Sequence, residues 1–479
     1  MIIENFQDVI RYLNGTYSSE KTVNSLDNKS FRVEREKQIL NMLDNPEKNL
    51  KIIHVAGSKG KGTTVGHIGM LLQNENIRVG LYMSPHVYDY KERWSEVGYN
   101  IEYYPKLFGK EYIRAASFIE KKLKDHKKIT NLLGGIPPTP FELYTAFALV
   151  LFNQTAMDYV VMETGIGGRL DATNAITPIA TVITHIEKEH TNLLGNTLED
   201  IAYEKAGIIK KGVPVFIQDE NKEVTSVIEK VAKEKGAKVF KAPLTPPYTL
   251  HLATRGKSAE KDYMLAFTTV NTLGLLGHEP FSIESQKLKL PARGEVQVES
   301  KSIILLDGAH TKDSIIELVQ NIDDILLNTD VDFLSEDYED TNHYENPNTF
   351  KRILADNIRE SLNKTRSVIF STPIDKNAIE MLKVLIYHFD TICLTNIGSI
   401  YKKNDIVQLI LAFEKVIKDS ENYRVKNLLV EDNLDDSIVE IENLNAEYDI
   451  MHSDTKQPQH HITVITGSFY LCGDYKNSI

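Results

Sequence analysis

Cysteine is scarce in this sequence, long apolar runs are missing, and each shortage excludes a class of protein. The chain has two cysteines in 479 residues, Cys393 and Cys472. They cannot form a disulfide framework, and they lie in neither a CxxC pair nor a zinc-like spacing. The most apolar long stretch, residues 143–152, is shorter than the roughly 20 residues that a membrane span requires. We therefore expect a protein of the reducing cytoplasm without a membrane-spanning segment.

Positive charge is also in deficit. The 55 lysines and arginines stand against 67 acidic residues, which gives a net charge of -12. This disfavours a broad surface for nucleic acid, although a local basic pocket can still bind an anion. The 42% hydrophobic and 25% charged content is typical of a globular chain. Residues 1–13 place their apolar side chains on one helical face, which predicts a helix and not a signal peptide.

The length and the hydrophobic pattern predict two α/β domains. Apolar strand-like runs alternate with amphipathic helical segments, and this alternation favours mostly parallel sheets with ligands beyond the carboxyl ends of the strands. Thr139 and Glu142 form a capping-box signal for one of the helices. The domains are assigned to residues 1–296 and 297–479, the second with an acidic insertion near residues 323–349. The predicted strands are residues 51–56, 78–83, 159–162, 180–184, 213–217, 302–306, 367–370, 392–395 and 462–466.

A glycine-rich loop between a strand and a helix is the strongest single signal. It consists of Gly57, Ser58, Lys59, Gly60, Lys61, Gly62, Thr63 and Thr64. Backbone N–H groups of such a loop can surround a phosphate, Lys61 can reach the outer phosphates, and a threonine hydroxyl can face Mg²⁺. The spacing is a variant of the GxxxxGK[ST] pattern, and a kinase, a GTPase or a ligase can use it. The first domain is therefore predicted to be a P-loop-containing, mostly parallel sheet domain that binds a nucleotide.

A second predicted strand delivers a carboxylate into a glycine-rich turn. Glu163 ends this strand, and residues 164–168 read Thr-Gly-Ile-Gly-Gly. Hard cations prefer carboxylate and phosphate oxygens, so Glu163 is a candidate Mg²⁺ ligand near the loop. His190 and Lys205 carry no chemical signal of their own, because an isolated histidine or lysine is usually packed or solvated.

The ordered series of motifs resembles the folylpolyglutamate synthases of the Mur ligase superfamily. It covers residues 52–475. The matching segments are the glycine-rich loop, Ser84-Pro85-His86, Lys91-Glu92-Arg93, residues 163–174, His190, residues 205–209, Asp307-Gly308-Ala309-His310 and residues 467–471. The resemblance implies a Mur-ligase-like fold, in which the P-loop domain is followed by a smaller α/β C-terminal domain. It also implies that ATP and Mg²⁺ are the cofactors.

The resemblance implies a role for each matched residue. Ser84, Glu163 and His190 would hold one Mg²⁺, and Lys205, as a carbamate, would help to place a second. Lys61 and Thr63 would meet the phosphates, so that Lys61, His190 and Lys205 form the catalytic set. The remaining nucleotide contacts implied are Asn271 to adenine, Arg293 to the phosphates, and Asp307 with His310 from the second domain.

The implied activity is the ATP-dependent addition of L-glutamate to a folate. A carboxylate is a poor acyl donor, so the γ-phosphate of ATP converts it to an acyl phosphate that the amine of glutamate attacks. Dihydrofolate synthase, acting on dihydropteroate, or an enzyme with both activities uses the same machinery and stays open. A peptidoglycan-precursor ligase is disfavoured because Ser84-Pro85-His86 resembles the folate branch, and a P-loop binding switch is a more remote alternative.

The resemblance also bears on substrate choice and assembly. Glu189 stands where the family commonly has an aspartate, and its extra methylene near the expected pterin site should disfavour dihydropteroate more than tetrahydrofolate. The expected partners are small molecules, namely folate or dihydropteroate and L-glutamate. We expect a monomer with no nucleic-acid or membrane partner.

Overall fold

The computed structural model describes residues 2–15, 31–97, 109–218, 221–244, 257–277, 290–298, 302–327, 365–374, 376–398, 404–451 and 461–478. These residues form two compact units, one that ends in the region of residue 288 and one that begins at residue 289. Most of the acidic insertion, residues 328–349, lies outside the described residues. Within the ranges given, none of the helices combines the length and the apolar character that a bilayer crossing needs.

The first unit is a seven-stranded sheet with helices packed against it. Its strand order is β3-β2-β4-β1-β5-β6-β7, and every neighbouring pair is parallel except β2 with β3. The strands are β1 (Ile52–Ala56), β2 (Val79–Tyr82), β3 (Trp94–Glu96), β4 (Tyr159–Glu163), β5 (Ala180–Ile183), β6 (Val215–Gln218) and β7 (Val239–Ala242). The predicted α/β class is confirmed.

The helices of the first unit surround this sheet. They are α1 (Phe6–Gly15), α2 (Phe31–Met42), α3 (Lys61–Asn74), α4 (Gly109–Lys122), α5 (His126–Leu132), α6 (Pro140–Gln154), α7 (Thr191–Leu194), α8 (Leu198–Ala206), α9 (Lys222–Glu234) and α10 (Lys257–Thr272). Short 3₁₀ turns are Pro46–Asn49, Tyr90–Arg93 and Ala172–Ala175. The central strand β1 is buried along its whole length, as expected for a parallel strand covered on both faces.

The start of α6 confirms the predicted capping box. Thr139 Oγ1 accepts a hydrogen bond from the Glu142 backbone N–H at 3.2 Å, and the Glu142 carboxylate accepts one from the Thr139 backbone N–H at 2.7 Å. Pro140 occupies the first turn, where its missing N–H costs nothing. The apolar residues 143–152 that follow are buried in this helix.

Glu142 has a second partner, the buried Arg35 of α2. The Arg35 guanidinium donates to both Glu142 carboxylate oxygens, at 2.8 and 3.0 Å. Its other hydrogen bonds go to the backbone carbonyls of Leu133, Ile136 and Pro137. Arg35 therefore fixes the segment before α6 to α2.

The neighbouring Glu36 is a buried carboxyl group without such a partner. The residue is fully buried, and neither side-chain oxygen has a hydrogen-bond partner in the described part of the chain. Burial, followed by the repulsion of Glu142 and Asp171, raises the pKa of Glu36 well above its ordinary value. The native state therefore binds a proton at Glu36 more tightly than the unfolded chain does.

This environment predicts that Glu36→Met stabilises the protein. Removing a buried, unpaired polar group should contribute about 1–3 kcal/mol. Because the folded pKa is raised, the penalty of Glu36 is small below the unfolded pKa of about 4.3 and grows as pH rises through the neutral range. The gain in melting temperature should therefore be larger at about pH 8 than at about pH 5. The exposed Glu34→Met is the control, and a Glu36→Met protein that melts below wild type at both pH values would contradict the prediction.

The second unit is a six-stranded sheet of order β12-β11-β10-β13-β9-β8, parallel except at β8 with β9. Its strands are β8 (Arg293–Val298), β9 (Ser302–Asp307), β10 (Arg366–Phe370), β11 (Thr391–Thr395), β12 (Asn427–Glu431) and β13 (His461–Thr466). Its helices are α11 (Lys312–Leu327), α12 (Ala378–Leu385), α13 (Ile406–Lys418), α14 (Leu434–Met451) and α15 (Phe469–Ser478). The predicted second α/β sheet is confirmed.

Candidate functional site

The carboxyl ends of β2, β4, β1 and β5 bring the predicted first-unit motifs to one edge of the sheet. Glu163 at the end of β4 is in register with Val55 of β1. Ser84 follows β2, and its backbone N–H donates to Glu163 Oε2 at 3.0 Å. The Glu163 side chain is buried. Two of the predicted metal ligands are therefore adjacent, at the edge where parallel sheets bind their ligands.

The glycine-rich loop continues directly from β1 and is tied to the segment after β5. The backbone N–H groups of Ser58 and Lys59 donate to the carbonyl of His185, at 2.8 and 3.2 Å. The hydroxyl of Thr184 donates to the carbonyl of Lys59. Gly57 approaches this threonine so closely that a Cβ at position 57 would collide with the Thr184 side chain. The loop needs glycine at this position for that reason.

The loop ends where α3 begins, and this helix start is the anion-binding part. Gly60 caps α3 in the left-handed region, with φ 80°, which glycine adopts without strain. The first turn of a helix has free N–H groups and the positive end of the helix dipole. Thr63 and Thr64 are buried in this turn, and the Thr64 hydroxyl has no hydrogen-bond partner in the described ranges. Lys61 Nζ donates to the carbonyls of Gly57 at 3.0 Å and Ser58 at 3.3 Å.

Lys205 reaches the same loop from the last turn of α8. Its side chain is 1% exposed, and Nζ donates to the Gly57 carbonyl at 2.7 Å and to Glu189 Oε1 at 2.8 Å. His190, next in sequence to Glu189, has left-handed φ 45°, and its Nε2 lies 3.9 Å from Glu189 Oε2. Lys205, the loop and the His190 segment therefore meet at one place. The Glu189 carboxylate faces Lys205 there.

The charges in this cluster shift one another's pKa values. Burial lowers the pKa of Lys205 to about 8, against the attraction of Glu189. Burial alone would raise the pKa of Glu189, but the attraction of Lys205 and Lys61 outweighs it and holds this pKa at about 2. Glu189 is therefore ionised at neutral pH, and most of Lys205 is protonated.

Among the described residues, acidic and histidine side chains alone do not supply enough ligands for a hard divalent cation at this edge of the sheet. Hydroxyl, water or phosphate oxygens would have to complete the coordination. No three His, Cys, Asp or Glu side chains come close enough to form a metal site by themselves in the ranges that the structure describes. Glu163 supplies a buried carboxylate, and the α3 threonines supply hydroxyl oxygens. Such oxygen donors suit Mg²⁺, which usually keeps waters and takes phosphate oxygens as further ligands.

The second unit gathers three of the predicted nucleotide residues. Arg293 of β8 is in register with Asp307 of β9. The Asp307 carboxylate accepts hydrogen bonds from the backbone N–H groups of Gly294 and Ala309, both at 2.9 Å. Burial raises the pKa of Asp307 to about 6. His310 Nδ1 lies 2.7 Å from the Gly308 carbonyl.

Phe469, which sequence reasoning did not single out, holds this group together. The Arg293 guanidinium lies over the Phe469 ring, 5.0 Å from its centre. The His310 ring meets Phe469 edge to face at 5.8 Å. A Cβ at Gly308 would collide with the same ring. The position of Phe469 immediately after the Gly467-Ser468 turn of the last matched motif was the available signal.

The structure does not bring Asn271 to the loop. Gly60 at the start of α3 lies against the Asp262 carboxylate, and Gly277 lies against Glu75 just beyond the end of α3. The two helices therefore run in the same direction, and α10 rises about 13 Å between residues 262 and 271. Asn271 is exposed near the far end of α10. The contact implied for Asn271 is with adenine, which lies at the other end of the nucleotide from the outer phosphates, so this contact stays a prediction.

Asp262 occupies the position at the loop that Asn271 does not reach. It is buried, and Gln218 Nε2 donates to its Oδ1 at 3.0 Å. Sequence reasoning missed it. A charged residue on the buried face of a helix is the signal that identifies such a position.

Comparison with known proteins agrees with the fold. A family described as the Mur ligase middle domain matches residues 115–285. The dihydrofolate synthase/folylpolyglutamate synthase of Bacillus subtilis is 39% identical over 204 residues, which is 42% of this chain and 45% of that protein. The folylpolyglutamate synthase of Saccharomyces cerevisiae is 30% identical over 293 residues, 56% of this chain and 52% of that protein. The chain thus spans about half the length of these curated relatives.

Solved structures show the same fold over almost the whole chain. The Mycobacterium tuberculosis folylpolyglutamate synthase complexed with ADP and AMPPCP has a TM-score of 0.73, with 22% identity, over 98% of this chain and 99% of that one. FolC of E. coli in complex with DHPP and ADP has a TM-score of 0.66, with 21% identity, over 100% of this chain and 98% of that one.

Residues 115–285 match the Mur ligase middle domain, and the chain shares the fold of the solved folylpolyglutamate synthase structures. The two curated relatives carry the names dihydrofolate synthase/folylpolyglutamate synthase and folylpolyglutamate synthase, in agreement with the resemblance found in the sequence.

Proposed function

We propose that this protein is an ATP-dependent ligase that adds L-glutamate to the carboxylate of a folate through an acyl phosphate. One observation carries the proposal: the glycine-rich loop, Glu163 and the buried Lys205 lie at the same edge of one parallel sheet. Phosphoryl transfer needs this combination of phosphate cradle, carboxylate and cation. The folylpolyglutamate synthase names of the curated relatives support the choice of substrate.

Each residue of the site has a role in this proposal. The first turn of α3 binds phosphate oxygens, and Lys61 leaves its two carbonyl partners to stabilise the charge that develops on the transferred phosphoryl group. Glu163, Ser84, Thr63 and His190 are the residues that would hold Mg²⁺. A bound Mg²⁺ neutralises phosphate charge and orients the nucleotide. Arg293, Asp307 and His310 are proposed to contact the nucleotide.

Dihydropteroate is the second candidate acceptor, and an enzyme with both activities is the favoured form of this alternative. The observation behind it is the name of the 39% identical Bacillus subtilis relative, which joins dihydrofolate synthase with folylpolyglutamate synthase. Both acceptors present a carboxylate to the same nucleotide, so the loop does not distinguish them. The segments expected to surround the acceptor, residues 84–93 and 134–141, would distinguish the two.

A single assay tests the proposal. Purified protein is incubated with ATP, Mg²⁺ and L-glutamate, with either tetrahydrofolate or dihydropteroate, and phosphate release is measured beside the mass of the folate product. We expect glutamate-dependent phosphate release with tetrahydrofolate at the higher kcat/KM. A preference for dihydropteroate would reverse the ranking of the two acceptors. Nucleotide hydrolysis that ignores both acceptors and glutamate would favour a binding switch instead.

The proposal extends to location and assembly. We propose a cytoplasmic monomer whose partners are ATP, Mg²⁺, L-glutamate and a folate. The boundary predicted between residues 296 and 297 would divide β8 (Arg293–Val298), so we place the start of the C-terminal domain at residue 289. Gel filtration with light scattering tests the monomer.

A further inference from the structure

Two lysines flank Gly60 in the glycine-rich loop, and they have different partners. Lys61 Nζ is held by neutral backbone carbonyls. Lys59 Nζ instead lies 2.9 Å from Glu187 Oε2, with the two side chains 26% and 12% exposed. The loop therefore carries one cation bound to neutral carbonyl groups and one cation neutralised by a carboxylate.

Glu187 is kept at the loop by its backbone and not by its charge. The Ser58 hydroxyl donates to the Glu187 carbonyl at 3.1 Å. The His185 carbonyl, two residues earlier, accepts the backbone N–H groups of Ser58 and Lys59. These contacts hold position 187 beside Lys59 whatever side chain it carries. A glutamine at 187 would stay in place and lose only the negative charge.

We propose that Glu187 competes with the nucleotide for Lys59, so that Lys59 exchanges the Glu187 carboxylate for a phosphate oxygen when a nucleotide binds. The inference rests on the nucleotide binding of the proposed function. A partly exposed ion pair is weak, and a lysine ammonium is a common phosphate ligand. The loop backbone carries Lys59 to the start of α3, where the phosphates are expected. The exchange needs only side-chain rotation.

The exchange predicts opposite effects for the two halves of the ion pair. Lys59→Met removes a phosphate contact, and ADP should bind about tenfold more weakly. Glu187→Gln removes the competitor, and ADP should bind about two- to fivefold more tightly. In Lys59→Met/Glu187→Gln the second substitution should add nothing, because the competitor acts only through Lys59. A pair that merely braces the loop would instead lower ADP affinity in both single variants.

The experiment is calorimetric titration of the full chain with ADP and Mg²⁺ for wild type, both single variants and the double variant, with thermal melting of each protein. Lys122 and Asp44 form an ion pair at 2.6 Å elsewhere in the same unit, so Lys122→Met and Asp44→Asn are the matched controls and should leave ADP binding unchanged. If Lys59→Met fails to fold, the sign of the Glu187→Gln effect decides alone.

Two outcomes would overturn the exchange. One is that Glu187→Gln binds ADP with unchanged or weaker affinity. The other is that Glu187→Gln raises ADP affinity equally in wild type and in Lys59→Met. Failure of the wild type to bind ADP would count against the proposed function itself. Normal wild-type binding with no divergence between the single variants would count only against the exchange.

Discussion

Lys61→Ala should retain the fold and lose roughly 10²–10³-fold in turnover, as removal of one charge-stabilising donor does in comparable sites. The physical reason is that the Lys61 ammonium donates its hydrogen bonds to the neutral carbonyls of Gly57 and Ser58. Its charge is therefore available to the phosphates at little cost. Steady-state phosphate release with glutamate and tetrahydrofolate measures the effect.

The control for Lys61→Ala is Lys122→Ala, which removes a lysine of the same unit that pairs with Asp44. This control should keep full turnover. Near-normal turnover in Lys61→Ala, with unchanged melting and unchanged Mg²⁺ dependence, would remove the loop from the proposed chemistry.

Lys205→Ala should be inactive, and the form of rescue should identify what Lys205 is during turnover. An unmodified ammonium would repel a neighbouring cation, so we propose that Lys205 carries the carbamate that the resemblance implies, which offers anionic oxygens. The carbamate forms from the neutral amine, and burial lowers the pKa of Lys205 to about 8. With ¹³C-labelled bicarbonate, the carbamate signal should therefore grow as pH rises through about 8. Acetate or formate should partly restore turnover to the variant.

Lys205→Ala could also lose activity because the protein is destabilised, since the substitution leaves Glu189 without its cation. Removing one partner of a buried pair costs about 3–5 kcal/mol. Lys205→Ala/Glu189→Gln avoids the stranded charge, and it should melt higher than the single variant while staying inactive. Rescue by ethylamine and not by acetate would show that Lys205 works as the ammonium seen beside Glu189. Full activity of Lys205→Ala would exclude both roles.

The interior of both sheets could be predicted from sequence, whereas their edges could not. All nine predicted strands are confirmed, and each lies inside its sheet. The four strands that were missed are β3, β7, β8 and β12, which are the sheet edges. An interior parallel strand is buried on both faces and reads as an apolar run. The edge strand β12 is mostly exposed. It therefore mixes polar with apolar residues, and its sequence lacks the continuous apolar run that marks an interior strand.

Site residues could be predicted where the signal lies in the local sequence, and they were missed where only tertiary contacts bring them to the loop. The glycine-rich loop and Glu163 were predictable because strand, turn and helix follow one another along the chain. Lys205 and His190 required the family resemblance, since only folding brings Lys205 to Gly57 and to the Glu189 that precedes His190. Asp262 and Glu187 were missed because their contacts with the loop are purely tertiary.

The position of Glu189 has a consequence for anyone who wishes to redesign substrate preference. The family resemblance places Glu189 near the expected pterin site, which makes it an obvious residue to exchange if the proposed preference between folate and dihydropteroate is to be changed. Its carboxylate is already committed to Lys205 at 2.8 Å, so a change there perturbs the reaction centre together with the pocket. Selectivity and rate are coupled at this residue. Phe141 packs against Tyr82 and Gly165 at the start of α6, away from the Glu189–Lys205 pair, and is the better place to begin.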